Sequence, residues 1–264
     1  MRHWLVIAIL LLTLTTYGQP KKIRSLEISD TIEYAAVDRP GDLYIVTRAG
    51  QIQKFDPDGK LLSLYRHNAM PTLFDPRDGA RLFAYFRSLQ QYWYLNPSFD
   101  VTSSHVLDSA FAIDPWFVCS SGDHNLWILD AADWSLKKID PKKGSVLTEA
   151  TFAVTPGKHP DDFTFMREYQ GFLFLLDRSQ GILIFSSMGK LIRTLPAKGL
   201  KYFNFLGEEL YYQQNDALQF FDLFSAETRQ MALPSPATFT LVTDEKIYTI
   251  GPQQIGIFQW VPDR

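Results

Sequence analysis

Three histidines, His67, His105 and His159, stand in or beside the segments that separate apolar runs of this chain. Neutral imidazoles are good ligands for Zn²⁺, which takes three or four N, O or S donors. One divalent ion held by these three is the metal chemistry the sequence offers. No short-range spacing ties them together, and scattered surface histidines are the plainer alternative. A second set is ionic. Arg48, Arg87 and Arg178 lie at or just past the ends of apolar runs, as do Asp130 and Asp177, with Arg39, Arg66 and Lys158 in nearby segments. Guanidinium groups grip a carboxylate or phosphate by paired hydrogen bonds. Arg48, Arg87, Arg178 and Asp177 are therefore the candidate ligand-binding set, with solvated loop tips as the competing reading. His159-Pro160-Asp161-Asp162 places two carboxyls beside an imidazole. That is the composition of an acid–base site, although adjacent residues usually point apart and loop solubility explains them as well.

No GxSxG elbow, P-loop, HExxH or paired CxxC occurs, so no catalytic residue is assigned. Cys119 is the only cysteine, which excludes an internal disulfide; its apolar neighbours Phe117 and Val118 point to a buried, inert thiol. Asp56-Pro57-Asp58-Gly59 has the look of a calcium loop. It lacks the alternating carboxylates and closing Glu that such a loop needs.

What positions these residues is a phrase that returns six times. It reads DLYIVTRAGQIQKFDPDGKLL from Asp42, NLWILDAADWSLKKIDPKKGSVL from Asn125 and FLFLLDRSQGILIFSSMGKLI from Phe172, with weaker copies from Arg81, Glu209 and Lys246. The first sharp apolar residues, Leu43, Leu82, Leu126, Leu173, Leu210 and Ile247, are 37 to 47 residues apart, about 41 on average. That is the length of a four-stranded propeller blade, about 40 to 45 residues. An apolar pair three residues apart follows each anchor: Ile52 and Phe55, Tyr92 and Leu95, Leu136 and Ile139, Ile182 and Phe185, Leu218 and Phe221, Ile255 and Phe258. Residues three apart on a strand face opposite sides, as a strand packed between two neighbours requires. Asp56, Asn96, Asp140, Ser186, Asp222 and Gln259 come next, and Gly59, Gly144 and Gly189 close three of the turns. Such residues start a turn by bonding their own backbone, and glycine supplies φ > 0.

The first blade then divides into Ile32 to Val37, Leu43 to Thr47, Ile52 to Phe55 and Lys60 to Tyr65. The last copy runs out at its third strand, while an unassigned strand, Ile23 to Ile28, precedes the first blade. If that strand completes the last blade, the ring closes. The expected fold class is an all-β, six-bladed β-propeller of four-stranded blades, the N-terminal strand closing the last. A sandwich or jelly roll has no reason to repeat at this spacing.

On the phrase x-L-Y-I-x…G-x-I-x-x-F-D-P-x-G-K-x-L the chain resembles the six-bladed propellers of the NHL and TolB-like superfamily, over essentially its whole length beyond residue 18. Blades two and five depart from the pattern; both lack the closing glycine, and the second carries the aromatic run YFRSLQQYWYLN from Tyr85 to Asn96. The resemblance implies a scaffold, lyase, lactonase or hydrolase. It also implies that connections between blades converge near a central channel, where propeller enzymes often hold a metal. Fold does not choose among these functions.

The start of the chain reads as a leader. Arg2 and His3 precede an apolar run from Trp4 to Leu14, and small residues Thr16 and Gly18 precede Gln19. That layout is a secretory signal peptide over residues 1–18, leaving residues 19–264 as one domain. Without the leader the net charge moves from −3 to −4. Nothing there seeks nucleic acid. An exported chain without disulfides fits a bacterial periplasm or cell surface. The expectation is a monomeric, non-enzymatic propeller that binds a protein or glycan of the envelope, needs no cofactor and has no stable membrane span after processing. The alternative is a lyase or lactone/ester hydrolase with a divalent metal at His67, His105 and His159.

Overall fold

A computed structural model describes residues 20–66, 69–154 and 156–260. The leader assigned to residues 1–18, and His67, lie outside these residues. There are six antiparallel four-stranded sheets; five have their strands in sequence order, and the sixth takes its fourth strand from the start of the chain. This is the six-bladed β-propeller that the repeat spacing predicts. The innermost strands, around the axis, are Ile32–Val37, Leu73–Asp75, Pro115–Ser120, Phe163–Tyr169, Phe203–Leu206 and Phe239–Val242 for blades I to VI. The second strands are the most deeply buried, with every residue of Leu43–Thr47, Leu82–Phe86, Leu126–Asp130 and Lys246–Ile250 buried. A blade presses on both neighbours, so its middle strands have no solvent face to alternate toward.

The ring closes as the missing strand of the last copy suggests. Lys21–Glu27 pairs antiparallel with Gln254–Gln259, from Lys21 opposite Gln259 to Glu27 opposite Gln254. The closing strand thus starts two residues earlier than Ile23 and becomes the fourth strand of blade VI.

The turn residues act as their chemistry dictates. Asp56 Oδ1 accepts from the amides of Asp58 at 3.1 Å and Lys60 at 2.8 Å. Asn96 Oδ1 accepts from Ser98 and Asp100, both at 2.9 Å, and in blade V Asp222 Oδ1 accepts from the amides of Phe224 at 2.9 Å and Ser225 at 2.7 Å. The closing glycine has a second duty that the sequence does not show. At Gly59 (φ +84°) a Cβ would come within 2.7 Å of Ile257 Cδ1, and at Gly189 (φ +72°) within 2.9 Å of Ala150 Cβ. The turn lies against the preceding blade, so the glycine allows the curvature and the close approach together. Where the glycine is missing, Phe99 (φ 70°) and Ala226 (φ 61°) take the left-handed position. Phe99 offsets that strain by burying its ring against Tyr44 and Tyr65, centroids 6.1 and 6.0 Å away.

Each blade thus offers two faces. The lower face carries the turns between first and second strands and between third and fourth strands. The upper face carries the second-to-third turns and the connections between blades.

Candidate functional site

The sequence-predicted set is spread over blades I, II and IV on the upper face: Arg48 N donates to Thr31 O at 2.8 Å and Arg178 N to Asp162 O at 2.9 Å, tying second-to-third turns to interblade connections. The side chains have separate occupations. Arg48 is paired with Glu33 at 2.5 Å, and the Arg87 guanidinium lies 3.6 Å above the Trp116 ring. Arg178 is exposed. Asp177 is fully buried, 2.6 Å from Lys158 Nζ, and accepts from Ser179 N and Oγ and from Gln180 N. Burial alone would raise its pKa, but the Lys158 and Ser179 bonds outweigh it and hold the carboxyl below its ordinary range. Asp130 does the same with Lys137 at 2.7 Å in blade III. Both aspartates tie their second-to-third turn to the connection from the preceding blade, Asp177 through Lys158 and Asp130 through the amides of Ile113 and Asp114.

The histidines are not drawn together either. His105 is exposed on the outermost strand of blade II, Val101–Val106, stacked on Tyr92 at 4.9 Å. His159 caps the short helical turn Pro160–Asp162, its amide donating to Asp162 Oδ2 at 3.1 Å, so the His-Pro-Asp-Asp cluster makes a capping box. Among the described residues no group of three or more His, Cys, Asp or Glu is placed to hold a metal.

The concave feature is on the other face. A cup of about 1080 Å³ opens at the axis, bounded by the first-to-second turns of all six blades. Its wall is uneven. The turns of blades I to III, 38–42, 76–81 and 121–125, have five, six and five residues; those of blades IV to VI, 170–171, 207–208 and 243–245, have two, two and three.

The floor is ionic and crosses the axis. Arg77 Nε bonds both oxygens of Asp75, at 3.0 and 2.8 Å, and its third nitrogen bonds the Glu168 carbonyl of blade IV. Arg167, 1% exposed, lies 3.6 Å from Asp75, bonds Asn204 of blade V and reaches the Tyr34 hydroxyl of blade I at 3.5 Å. Burial pushes the Asp75 carboxyl up, yet Arg77 and Arg167 together hold it at about 2. Burial would discharge Arg167, and the surrounding Tyr202, Asp75 and Tyr34 reverse that. The Glu168 carboxyl accepts Gly122 N at 2.7 Å and Gly171 N at 2.9 Å. Above the floor Tyr34, Phe165, Tyr202 and Phe239, from blades I, IV, V and VI, meet with centroids 5.1 to 5.9 Å apart and plug the axis. The Tyr202 hydroxyl is buried beside Tyr34 and Arg167 and closes no hydrogen bond of proper geometry.

The lip is freer. Arg81 lies 4.3 Å over the Tyr94 ring and 3.5 Å from His124 Nδ1, while Tyr169 and Phe205 stack face to face at 4.1 Å on the low side. Asp244 and Glu245 are exposed beside them. Its carboxylates are tied to cations and backbone amides, so the floor shapes and polarises the cup from fixed positions. Sequence reasoning missed it because Asp75-Pro76-Arg77-Asp78-Gly79 imitates the repeated turn. One signal was available: Arg167-Glu168, a charged pair inside the apolar run FTFMREYQGFLFLL.

No protein-family model matches this chain, and no curated protein matches it in sequence. Solved structures do, as propellers. Virginiamycin B lyase from Staphylococcus aureus superposes with a TM-score of 0.57 at 12% identity, over 90% of this chain and 99% of the lyase. The β-propeller domain of Cps50 (Swd1) from Myceliophthora thermophila gives 0.61 at 12%, over 91% and 99%. The WD40 propeller domain of Doa1 gives 0.57 at 11%, over 92% and 99%. At such identities the likeness defines a fold class, the β-propeller, shared by an enzyme and by WD40 domains alike. No helix of the described residues is long and apolar enough to cross a membrane.

Proposed function

We propose that this chain is an exported, non-enzymatic binding propeller, a divergent relative of the NHL and TolB-like group, that receives a protein segment or glycan of the bacterial envelope in its lower-face cup. The ion-paired floor and the open lip carry this reading. Asp75 is held by Arg77 and Arg167 and Glu168 by two backbone amides, whereas the lip holds aromatic and charged side chains in the open. A pre-shaped cup with a few placed polar groups is what a ligand site looks like. Export is supported by the leader-like residues 1–18.

A photo-crosslinking amino acid in place of Tyr169 tests it in cells. Adducts in the envelope fraction should form from that position and be absent when the crosslinker replaces Arg48 on the upper face. Equal adducts from both positions would refute the cup. Turnover of a lactone or ester panel by the purified protein, with or without added Zn²⁺, would refute the non-enzymatic reading.

A further inference from the structure

The three long turns of the cup share one geometry and differ at one residue. Gly41, Gly79 and His124 each donate the amide to the carbonyl three residues earlier, at 3.1, 2.7 and 3.1 Å. Each is left-handed, with φ of 97°, 61° and 66°. Glycine takes that conformation without strain, and a residue with a Cβ does not. Blade III therefore keeps a side chain where its two neighbours show that the turn needs none. That side chain is exposed on the high wall, its Nδ1 3.5 Å from the Arg81 guanidinium of blade II. Strain of this kind is stored where the residue that carries it has a use.

The imidazole stands beside a guanidinium that has no carboxylate. The cup is not cationic as a whole, since its lining holds seven carboxylates and five cationic side chains. Three of the cations are committed, Arg77 to Asp75, Lys138 to Asp123 and Lys246 to Asp58, while Arg39 and Arg81 make no ion pair among the described residues. Arg39 is exposed, whereas Arg81 is half-buried with its guanidinium 4.3 Å over the Tyr94 ring. The ring holds the face of that cation and leaves its N–H edge open. Asp78, three residues before Arg81, is exposed and pairs with no cation among the described residues. The local field is thus balanced, and what Arg81 offers is directed hydrogen bonds. The uncommitted carboxylates Asp244 and Glu245 belong to blade VI, which faces blade III across the ring, so they turn an anion toward Arg81.

The rest of the lip favours a sugar over a peptide. Extended peptides are held through their main chain, and the amides of the lip are spent. Those of Gly41, Gly79 and His124 close their own turns, and those of Gly122 and Gly171 bond Glu168. What stays open is an aromatic ring. Tyr169 is half-buried and among the described residues meets only the Phe205 ring, which is also met by Phe174 and Phe203. The C–H face of a pyranose ring stacks on such a surface, its hydrogens against the negative face of the aromatic. The bond from Gly122 N to Glu168 ties the His124 turn to the strand Phe163–Tyr169, which fixes the two elements relative to each other. We propose that the cup recognises a carboxylated glycan, a chain containing uronic acid. Arg81 grips the carboxylate by paired hydrogen bonds, His124 adds a second polar contact beside it, and Tyr169 stacks the ring. This rests on the cup reading above and names its ligand.

Isothermal titration of the purified protein tests it, with short oligomers of galacturonate, glucuronate and guluronate, each beside its carboxyl-reduced neutral counterpart, and with oligoglutamate as an acidic peptide. At least one acidic oligomer should bind, about tenfold or more tighter than its reduced partner. Arg81→Gln should abolish that preference, and Tyr169→Ala should weaken acidic and reduced sugars alike. His124→Gly should weaken the acidic oligomer about three- to tenfold while the melting temperature holds or rises, because the left-handed strain is relieved. A histidine with only a structural role would leave binding unchanged. Equal binding of acidic and reduced sugars would overturn carboxylate recognition and leave the cup standing. Oligoglutamate bound in place of the sugars, with Arg81 required, would overturn the glycan and leave the cup standing. No binding of any acidic oligomer would also overturn the proposal, and adducts from Tyr169 in cells then decide whether the cup reading survives it.

Discussion

Replacing Asp75 by Asn keeps the shape of the cup floor and removes the buried negative charge that Arg77 and Arg167 share. Arg77 and Arg167 would then both face a neutral amide. Breaking a buried pair by removing one partner costs about 3–5 kcal/mol. Arg77 is 28% exposed, so solvent takes up part of the loss, and about 2–4 kcal/mol is the working range. The titration of Asp75 gives a second handle. Its carboxyl sits at about 2 in the fold against an ordinary 3.8, because Arg77 and Arg167 overcome burial. At 1.36 kcal/mol per pH unit, the ionised form contributes about 2 kcal/mol at neutral pH. A lowered folded value means that this contribution is complete above about pH 4 and is lost as pH falls through about 2.

Urea denaturation of wild type and Asp75→Asn at pH 7, 5, 3 and 2, followed by tryptophan fluorescence, measures both quantities. The wild type should exceed the variant by about 2–4 kcal/mol at pH 7, and the gap should narrow by about 1–2 kcal/mol between pH 5 and 2. Other low carboxyls, such as Asp123, which Lys138 and neighbouring hydrogen bonds hold at about 2 despite burial, titrate in both proteins and cancel. A gap that stays constant with pH would refute the floor as an ionic unit centred on Asp75.

Gly189→Ala should cost about 2–4 kcal/mol, from left-handed strain and from the 2.9 Å approach to Ala150 Cβ, whereas Gly144→Ala, with φ +64° and nothing within 4 Å, should cost about 1. In thermal melts the two should differ by several degrees; equal shifts would mean that interblade packing plays no part in the choice of glycine. Deleting Lys21–Glu27 strips Leu26 from the core and uncovers Ile255 and Ile257, so the melting temperature should fall by about 10 °C or more. A parent-like melt would sink ring closure. Cys119 is fully buried and its thiol is pushed up by that burial, so iodoacetamide should leave it unmodified in the native protein and label it in urea.

The blades were legible because their fixed positions answer local needs that recur. Asp56, Asn96 and Asp222 each turn the chain by bonding their own amides, and the paired apolar residues each fill the same gap between neighbours. Even the closing strand announced itself, as a strand left over at one end and a copy cut short at the other. Gly189 was legible only in part, since its sequence shows the turn and not the Ala150 methyl beyond it. Arg48, Arg87, Arg178 and Asp177 were placed on the right face but not given their partners. Glu33 lies 15 residues from Arg48 in the chain, and Lys158 lies 19 from Asp177, in the connection from the preceding blade. Such pairings follow from three-dimensional packing rather than from periodicity.

The cup shows why a repeat hides its own site. Opposite the second residue of each repeat's sharp apolar run, the innermost strands of blades II, IV and V carry Asp75, Arg167 and Asn204, while those of blades I, III and VI carry Ala36, Cys119 and Leu241. Six identical blades would present a six-fold surface, suited only to a six-fold ligand. A site for an ordinary peptide or sugar must break the symmetry, so its residues have to be those in which the copies disagree. Aligning the copies strengthens the positions that build the scaffold and averages away the positions that distinguish one blade from the next. In a propeller the informative comparison is therefore the difference between blades at one inner-strand register, and here that difference isolates Asp75, Arg167 and Asn204, the three residues that join across the floor.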